Sequence, residues 1–241
     1  MQANHIAENV FEYSITHWFQ PIYQLFDNKI LGYEALLRDA SKIQISPVEI
    51  FKNAERDGYR NSLDMISMRA AMNTIEDDVN QLFLNVFPST LLKQDFLSWW
   101  DIHVSPDIPI VLELLENEPV IKWGELKAVT KELRTRGVKI AIDDMGMGYS
   151  FFQQWIELEP DYIKLDRYFA ENLSTNTKKQ KAVKSLINLM SESTEIIIEG
   201  IETVEDLGFA ELLGISYAQG YLLGRPSPAE NIIPIQKGRK K

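Results

Sequence analysis

The chain has 241 residues, of which 45% are hydrophobic, and its 25 basic and 35 acidic residues give a formal net charge of −10. This length suits one domain of roughly 200–250 residues, the acidic balance excludes a nucleic-acid polymer held by a basic surface, and the absence of cysteine excludes disulfides and thiolate catalysis. Because no apolar run is long enough for a membrane span and the N-terminus lacks a signal-peptide pattern, we expect a cytoplasmic protein without membrane insertion.

Short apolar runs alternate along the chain with longer segments of helical pattern. The first two runs, His17–Leu25 and Ile30–Leu37, are separated by a gap of hairpin length, which predicts an antiparallel pair. Further strands are predicted at Gln81–Val86, Ile110–Leu115, Val138–Ile142, Tyr162–Leu165, Glu195–Ile198 and Ile215–Ala218. Helices are predicted at Pro47–Asp57, Arg60–Asp78, Ser89–Trp99, Trp123–Arg136, Ser150–Ile156, Thr177–Ser191 and Val204–Leu213.

The pattern of these elements predicts a fold class. Runs such as VKIAI and EIII are continuously apolar, which is typical of strands buried on both faces of a parallel sheet. Strands that alternate with helices indicate βαβ units. Together with the initial hairpin, they predict an α/β fold, namely a TIM-like (β/α)8 barrel with an antiparallel first strand. Ser46 before Pro47, and Gly137 after a basic helical turn, indicate helix ends.

Polar residues stand at or near the C-terminal ends of the predicted strands. They are Glu34, Asn85, Glu113, Asp143, Asp144, Lys164, Asp166, Glu199, Glu202 and Gln219. In a barrel these strand ends form one rim, where active sites lie. Acids gathered there repel one another, and divalent cations with oxygen ligands relieve the repulsion. The adjacent pair Asp143 and Asp144 suggests two metal ions that share a carboxylate, an arrangement typical of phosphate-ester hydrolysis.

Each of these residues also fits an ordinary structural role when it is considered alone. Asp143 and Asp144 are suited to cap the helix that follows, and Asn85 is suited to a turn. Lys164 is placed to pair with Asp161 or Asp166 at the surface. The recurrence of polar residues after successive strands favours a common site over these separate roles.

The strands carry a series of motifs that occur in a fixed order. The series reads FQPIYQL, GYEALLR, LFLNVFP, IVLELLE, IAIDDMGMGYS, YIKLD, IIIEGIE and AQGYLLGRP. It resembles the successive signatures of the EAL domain, a family of bacterial phosphodiesterases of cyclic di-GMP. The resemblance implies a barrel with a reversed first strand and an enzyme that hydrolyses cyclic di-GMP to linear pGpG. It further implies Mg²⁺ or Mn²⁺ as the cofactor, with two ions bound.

The resemblance also implies a role for each polar residue of the rim. The implied metal ligands are Glu34, Asn85, Glu113, Asp143 and Asp144. Glu199 is implied as the general base or as a ligand of the second ion, and Lys164 as the group that holds or polarises the attacking water. The implied substrate contacts and supporting residues are Gln20, Arg38, Asp166, Glu202 and Gln219. Glu116 would organise the loop that follows Asp144.

The chain is expected to comprise an N-terminal extension at 1–14, an EAL barrel domain at 15–234 and a disordered basic tail at 235–241. The resemblance implies a homodimer and an upstream sensor partner. One alternative function is a catalytically weak receptor of cyclic di-GMP that signals to a protein partner. Another is a nucleotide-independent interaction protein that uses Phe151, Phe152 and Trp155. We favour the enzyme because none of the implied metal ligands is missing.

Overall fold

The computed structural model describes residues 15–40, 45–75, 79–115, 118–145, 151–190 and 194–232, and for Phe151 it describes the backbone only. The predicted loop residue Glu116, the N-terminal extension, the basic tail and the aromatic side chain of Phe151 lie outside the described residues. Within the part of the chain that the structure describes, no helix combines the length and the apolar character needed to cross a membrane.

The strands form one closed sheet. In chain order they are β1 (Ile15–Gln24), β2 (Lys29–Asp39), β3 (Leu82–Val86), β4 (Ile110–Leu114), β5 (Lys139–Met145), β6 (Tyr162–Leu165), β7 (Glu195–Ile198), β8 (Tyr217–Ala218) and β9 (Ser227–Pro228). Neighbouring strands from β2 to β8 run parallel, and β1 pairs antiparallel with both β2 and β8, which closes the barrel. The predicted barrel with an antiparallel first strand is confirmed. The short β9 pairs antiparallel with β1 at Trp18 and Phe19.

The helices surround this barrel. They are α1 (Pro47–Arg56), α2 (Arg60–Thr74), α3 (Pro88–Leu91), α4 (Phe96–His103), α5 (Trp123–Thr135), α6 (Phe151–Leu158), α7 (Arg167–Ala170), α8 (Thr177–Met190) and α9 (Val204–Leu213), followed by a 3₁₀ turn at Ala229–Asn231. The side chain of Ser46 accepts a hydrogen bond from the Glu49 amide at the start of α1. Gly137 has a φ of +80°, the left-handed conformation that glycine adopts at no steric cost after a helix.

One predicted helix is wrong. The segment expected as Ser89–Trp99 is divided into α3 and α4 by an exposed turn. Leu91 and Phe96 are both fully buried, and residues five positions apart in a continuous helix lie about 140° apart around its axis. The turn therefore allows both side chains to enter the core. The sequence pattern also gave no sign of the short elements α7 and β9.

The interior of the barrel has two layers. The floor layer is an apolar cluster formed by Ile22, Phe83, Val111, Ala141, Tyr162 and Ile197. Successive side chains of a strand point to opposite faces, so a residue two positions further along points into the barrel again. On five parallel strands that residue is polar. Together with Glu34 of β2, these residues form the mouth layer, which consists of Glu34, Asn85, Glu113, Asp143, Lys164 and Glu199.

Candidate functional site

Lys164 lies at the centre of the mouth layer and contacts four carboxylates. Its Nζ is 3.1 Å from Glu34 Oε2, 3.0 Å from Glu113 Oε1, 3.1 Å from Asp143 Oδ1 and 2.7 Å from Glu199 Oε1. The side chain is only 1% exposed. Burial alone lowers the pKa of a lysine, but the four carboxylates outweigh it and hold the pKa of Lys164 well above its usual value. Lys164 is therefore a fixed positive charge in the site.

Glu34 is held as an ionised carboxylate by amide donors. The Asn85 Nδ2 group donates to Glu34 Oε1 at 3.0 Å, and Gln219 Nε2 donates to Glu34 Oε2 at 2.8 Å. Burial raises the pKa of Glu34, yet the charge of Lys164 and the two amide hydrogen bonds bring it below its usual value. Since Asn85 donates through its nitrogen, its side-chain oxygen is left for another partner.

Glu113 is the most deeply buried carboxylate of the mouth layer, with an exposed fraction of 0%. Its Oε1 contacts Lys164, while its Oε2 has no hydrogen-bond partner among the described residues. Burial, more than any neighbouring charge, raises the pKa of Glu113 well above its usual value. A buried carboxylate oxygen without a donor is costly, and a cation is the partner that would remove the cost.

An irregularity of β5 brings two consecutive carboxylates to the same place. Side chains of adjacent strand residues normally face opposite sides of a sheet. The register between β5 and β6 shifts between Ile142 and Met145, and Asp144 takes a left-handed conformation with a φ of +52°. As a result, Asp143, Asp144 and Glu199 each offer an oxygen within 4.8 Å of the other two.

The electrostatics of this acidic group favour bound cations. Burial raises the pKa of Asp143 and brings that of Glu199 to about 8. Loss of solvent and the charge of Asp143 raise the pKa of Asp144 to about 6. The single charge of Lys164 therefore does not compensate the acids around it. Clustered carboxylate and amide oxygens are the donors that Mg²⁺ and Mn²⁺ prefer, so the residues present fit a divalent metal centre.

A cavity of about 350 Å³ opens above the mouth layer. Among the predicted substrate contacts and supporting residues, its lining includes Gln20, Asp166, Glu202 and Gln219. Asp166 also caps α7, where its Oδ1 accepts from the amide of Tyr168 at 2.8 Å. Glu202 forms an ion pair with Arg167 at 3.5 Å on the rim. The strand-end pattern thus identified residues that the fold brings together around one opening.

Arg38 is placed apart from this group. It lines a second cavity of about 550 Å³, which adjoins the first and shares Leu36 with it. The guanidinium lies over the Trp18 ring at 5.6 Å and donates to the carbonyl of Leu37 at 2.8 Å. Arg38 therefore stands at the border of the mouth and not within the group of acids.

Sequence reasoning missed several residues around the site. Tyr221 and Arg167 line the mouth cavity, but each lies in a loop or short helix that strand periodicity does not reveal. Arg60 and Asp64 of α2 form a polar cluster beside the end of β3. Their spacing of four residues, which places both on one helix face, was the only local signal for this cluster.

Comparison with known proteins gives a family match over nearly the whole chain. The family described as "EAL domain" matches residues 5–226, which confirms the resemblance drawn from the motifs. The chain is 32% identical over 151 residues to the probable cyclic di-GMP phosphodiesterase PdeA of Escherichia coli (strain K12), a match covering 60% of this chain and 21% of that protein. It is 27% identical over 240 residues to the cyclic di-GMP phosphodiesterase PdeB of Shewanella oneidensis, covering 94% of this chain and 28% of that protein. The chain thus spans well under half of these curated relatives.

Solved structures give a consistent match of the fold. Klebsiella pneumoniae BlrP1 in complex with calcium and cyclic di-GMP superimposes with a TM-score of 0.78 and 28% identity, covering 88% of this chain and 56% of that one. The same protein in a complex with manganese and cyclic di-GMP gives a TM-score of 0.76.

Proposed function

The chain belongs to the EAL domain family, and from that premise we propose that it is a metal-dependent phosphodiesterase that hydrolyses cyclic di-GMP to linear pGpG. The observation that carries the proposal is the mouth layer, where Lys164 is surrounded by four carboxylates whose charge exceeds its own. Relatives named cyclic di-GMP phosphodiesterases and neighbours solved with cyclic di-GMP support the choice of substrate.

The proposed metal ligands are the oxygen donors of the mouth layer. Glu34, Asn85, Glu113 and Asp143 would hold the first ion, and Asp144 would hold the second with Asp143 shared between them. The orphan oxygen of Glu113 and the proximity of Asp143, Asp144 and Glu199 support this assignment. When bound, Mg²⁺ or Mn²⁺ supplies Lewis acidity that lowers the pKa of water and offsets phosphate charge.

The two remaining groups of the mouth layer have complementary roles. Lys164 keeps its proton, because the surrounding carboxylates raise its pKa, so it donates hydrogen bonds to the phosphate or to the attacking water and does not act as a base. Glu199 lies 2.7 Å from Lys164 and beside the Asp143 and Asp144 carboxylates, so its own carboxylate is placed to accept a proton from a water bound at this site. The water oxygen would bond to phosphorus while Glu199 takes the water proton, the ester bond to one ribose oxygen would break to open the ring, and that leaving oxygen would take up a proton from solvent to become the free hydroxyl of pGpG.

The substrate is proposed to lie across the mouth cavity. Gln20 and Gln219 offer neutral polar contacts there, while Asp166 and Glu202 shape the rim. Arg38 at the border presents a planar guanidinium, a geometry suited to a phosphate oxygen or to the face of a base. The homodimer, the upstream sensor partner and the cytoplasmic location stay predictions.

A turnover assay tests the proposed function. The protein is incubated with cyclic di-GMP and Mg²⁺ or Mn²⁺, and pGpG is followed by chromatography. We expect product only with metal, and a loss of at least about 100-fold in Glu34→Gln, because a direct ligand matters more than the outer partners whose loss costs roughly 10–100-fold. The matched control is Glu211→Gln, which removes an exposed acid of α9 and should leave turnover unchanged.

Two outcomes would contradict the enzymatic proposal in different ways. Folded protein that binds the dinucleotide in EDTA but forms no pGpG with either metal would favour the receptor function. Folded protein that binds no dinucleotide with metal present would favour the interaction protein.

A further inference from the structure

Helix α2 holds the backbone that follows β3 through a buried carboxyl group. Asp64 is only 2% exposed, and its Oδ2 accepts a hydrogen bond from the backbone amide of Phe87 at 2.9 Å. Phe87 follows Asn85 by two residues, and the chain between them is the last part of the strand. The contact therefore fixes the exit of the strand that carries Asn85.

A second side chain of α2 holds the same segment. Arg60 donates to Ser89 Oγ at 3.1 Å, and its guanidinium carbon lies 4.5 Å from the centre of the Phe87 ring. Arg60 also forms an ion pair with Glu118, whose other oxygen accepts from the amide of Ser89 at 2.7 Å. The segment from Phe87 to Ser89 is thus held through the backbone amides of both residues, the hydroxyl of Ser89 and the ring of Phe87.

The sheet itself does not fix this part of β3 on both sides. The described pairing of β3 with β2 ends at Ala35 and Leu84, one residue before Asn85. On the other side the pairing with β4 continues through Asn85 and Glu113. Because one edge lacks ladder contacts there, the orientation of the Asn85 side chain depends on what holds the residues that follow.

We propose that Asp64 and Arg60 are positioning residues that hold Asn85 with its amide nitrogen toward Glu34 and its oxygen toward the metal centre. The 3.0 Å hydrogen bond from Asn85 Nδ2 to Glu34 Oε1 is the geometry that they preserve. Neither residue belongs to the mouth layer, and each acts through the backbone of the Phe87–Ser89 segment. The inference rests on the proposed function, since it concerns the ion that Asn85 would bind.

The test measures Mn²⁺ binding without substrate, from the electron paramagnetic resonance signal of the free ion. Asp64→Leu removes the acceptor for the Phe87 amide while keeping the branched shape of the side chain, and we expect Mn²⁺ affinity to fall roughly 10-fold, at the lower end of the effect of outer partners of metal ligands. Asp64→Asn keeps an acceptor oxygen and should restore affinity close to that of the unmodified protein. If Asp64→Leu does not fold, Arg60→Met takes its place, because Arg60 holds the same segment from the surface side.

A double-mutant cycle separates positioning from general destabilisation. In an Asn85→Ala background, Asp64→Leu or Arg60→Met should change Mn²⁺ affinity no further, because the residue through which they act is gone. The matched control is Thr194→Val, which removes a buried hydroxyl that donates to the Pro160 carbonyl at 2.9 Å far from the mouth, and it should lower stability without changing affinity.

The outcomes distinguish the two proposals. The positioning role alone would be overturned if the unmodified protein binds Mn²⁺ and the variants of Asp64 and Arg60 bind it equally well. Additive effects in the double-mutant cycle would overturn it too. Unmodified protein that binds no Mn²⁺ would overturn the proposed function together with this inference.

Discussion

Five strands of the barrel contribute to both the floor layer and the mouth layer, through residues two positions apart, yet the two layers obey opposite physical rules. The floor consists of apolar and aromatic side chains that are almost fully buried and pack against one another. The mouth is as buried at Lys164 and Glu113, but apart from Asn85 it consists of ionisable side chains. Strand geometry decides which side chains point into the barrel, but it does not decide whether they are apolar or polar. The change from apolar to polar between successive inward residues is therefore a property of the sequence and not of the fold.

The two layers contribute to the stability of the fold with opposite sign: the floor layer stabilises it and the metal-free mouth layer destabilises it. Apolar burial in the floor contributes roughly 25 cal/mol per Å² removed from water. In the mouth, the raised pKa values of Glu113, Asp143 and Glu199 mean that the metal-free protein disfavours their ionised forms. Such local destabilisation is typical of functional sites, where side chains are arranged for a ligand and not for the empty fold.

The largest effect is expected from Lys164→Met, which removes the one cation that, within the described ranges of the chain, contacts the four mouth carboxylates. Turnover should fall by about 10²–10³-fold, as when a single preorganised donor is removed from an active site. The free energy of unfolding in EDTA should fall by about 3–5 kcal/mol, because breaking a buried ion pair leaves uncompensated charge.

Chromatography of pGpG and chemical unfolding measure the two effects of Lys164→Met. The control is Lys181→Met, which removes an exposed lysine of α8. An unchanged unfolding free energy together with full turnover would mean that the mouth carboxylates do not depend on Lys164.

The floor should behave in the opposite way. Phe83→Ala removes a fully buried ring from the floor layer, and unfolding should become easier by about 3–5 kcal/mol, the usual cost of such a cavity. Mn²⁺ affinity of the protein that remains folded should be unchanged, since Phe83 contributes no donor. Phe26→Ala, at a ring that is 96% exposed in the β1–β2 turn, is the control and should have no effect on either quantity. Loss of Mn²⁺ affinity in Phe83→Ala would show that the two layers are not independent.

The mouth layer, unlike the floor layer, should make the stability of the protein depend on pH. The pKa of Glu199 is raised to about 8 and that of Asp144 to about 6, so the folded metal-free protein binds more protons than the unfolded chain between about pH 4 and 8. The unfolding midpoint in EDTA should therefore fall as the pH rises through this window. Each kcal/mol lost lowers the midpoint by about 2–4 °C in a domain of this size.

Bound metal should reduce this slope, because ligands must be deprotonated to hold an ion. Thermal unfolding at several pH values, in EDTA and in Mn²⁺, gives the comparison, and Glu199→Gln should flatten the curve in EDTA. Parallel curves in EDTA and Mn²⁺ would contradict a metal site built on these acids.

The sequence predicted the polar rim because that rim arises from local periodicity. The strands Tyr162–Leu165 and Glu195–Ile198 agree with the structure at both ends. The mouth residue Lys164 lies within the first strand, and Glu199 directly follows the second. Parallel strands bring such positions to one rim whatever the details of packing. Glu34, Glu113 and Glu199 could therefore be grouped before any coordinates were known.

What the sequence did not predict depends on contacts between distant segments. The bulge that turns Asp144 toward the same site as Asp143 is a mismatch of register between β5 and β6, which no single strand encodes. The border position of Arg38 follows from the ring of Trp18 on the neighbouring strand. Likewise, Asp64 gains its role only when α2 packs against the end of β3.

A smaller effect of opposite sign is expected in the wall of the barrel, at His17 of β1, which contacts the helix α2. This histidine is buried, its Nε2 lies 2.9 Å from Ser67 Oγ, and burial, aided by the charge of Arg38, lowers its pKa to about 4. Between about pH 6.5 and 4 the unfolded chain therefore binds a proton that the folded protein does not, and stability contributed at His17 is lost as the pH falls. A fall in pH should thus lower the stability contributed at His17, while it raises the stability contributed by the mouth carboxylates. His17→Leu should remove this acid-side loss in thermal unfolding while His103→Leu does not, and an unchanged acid limb in His17→Leu would assign the loss to another group.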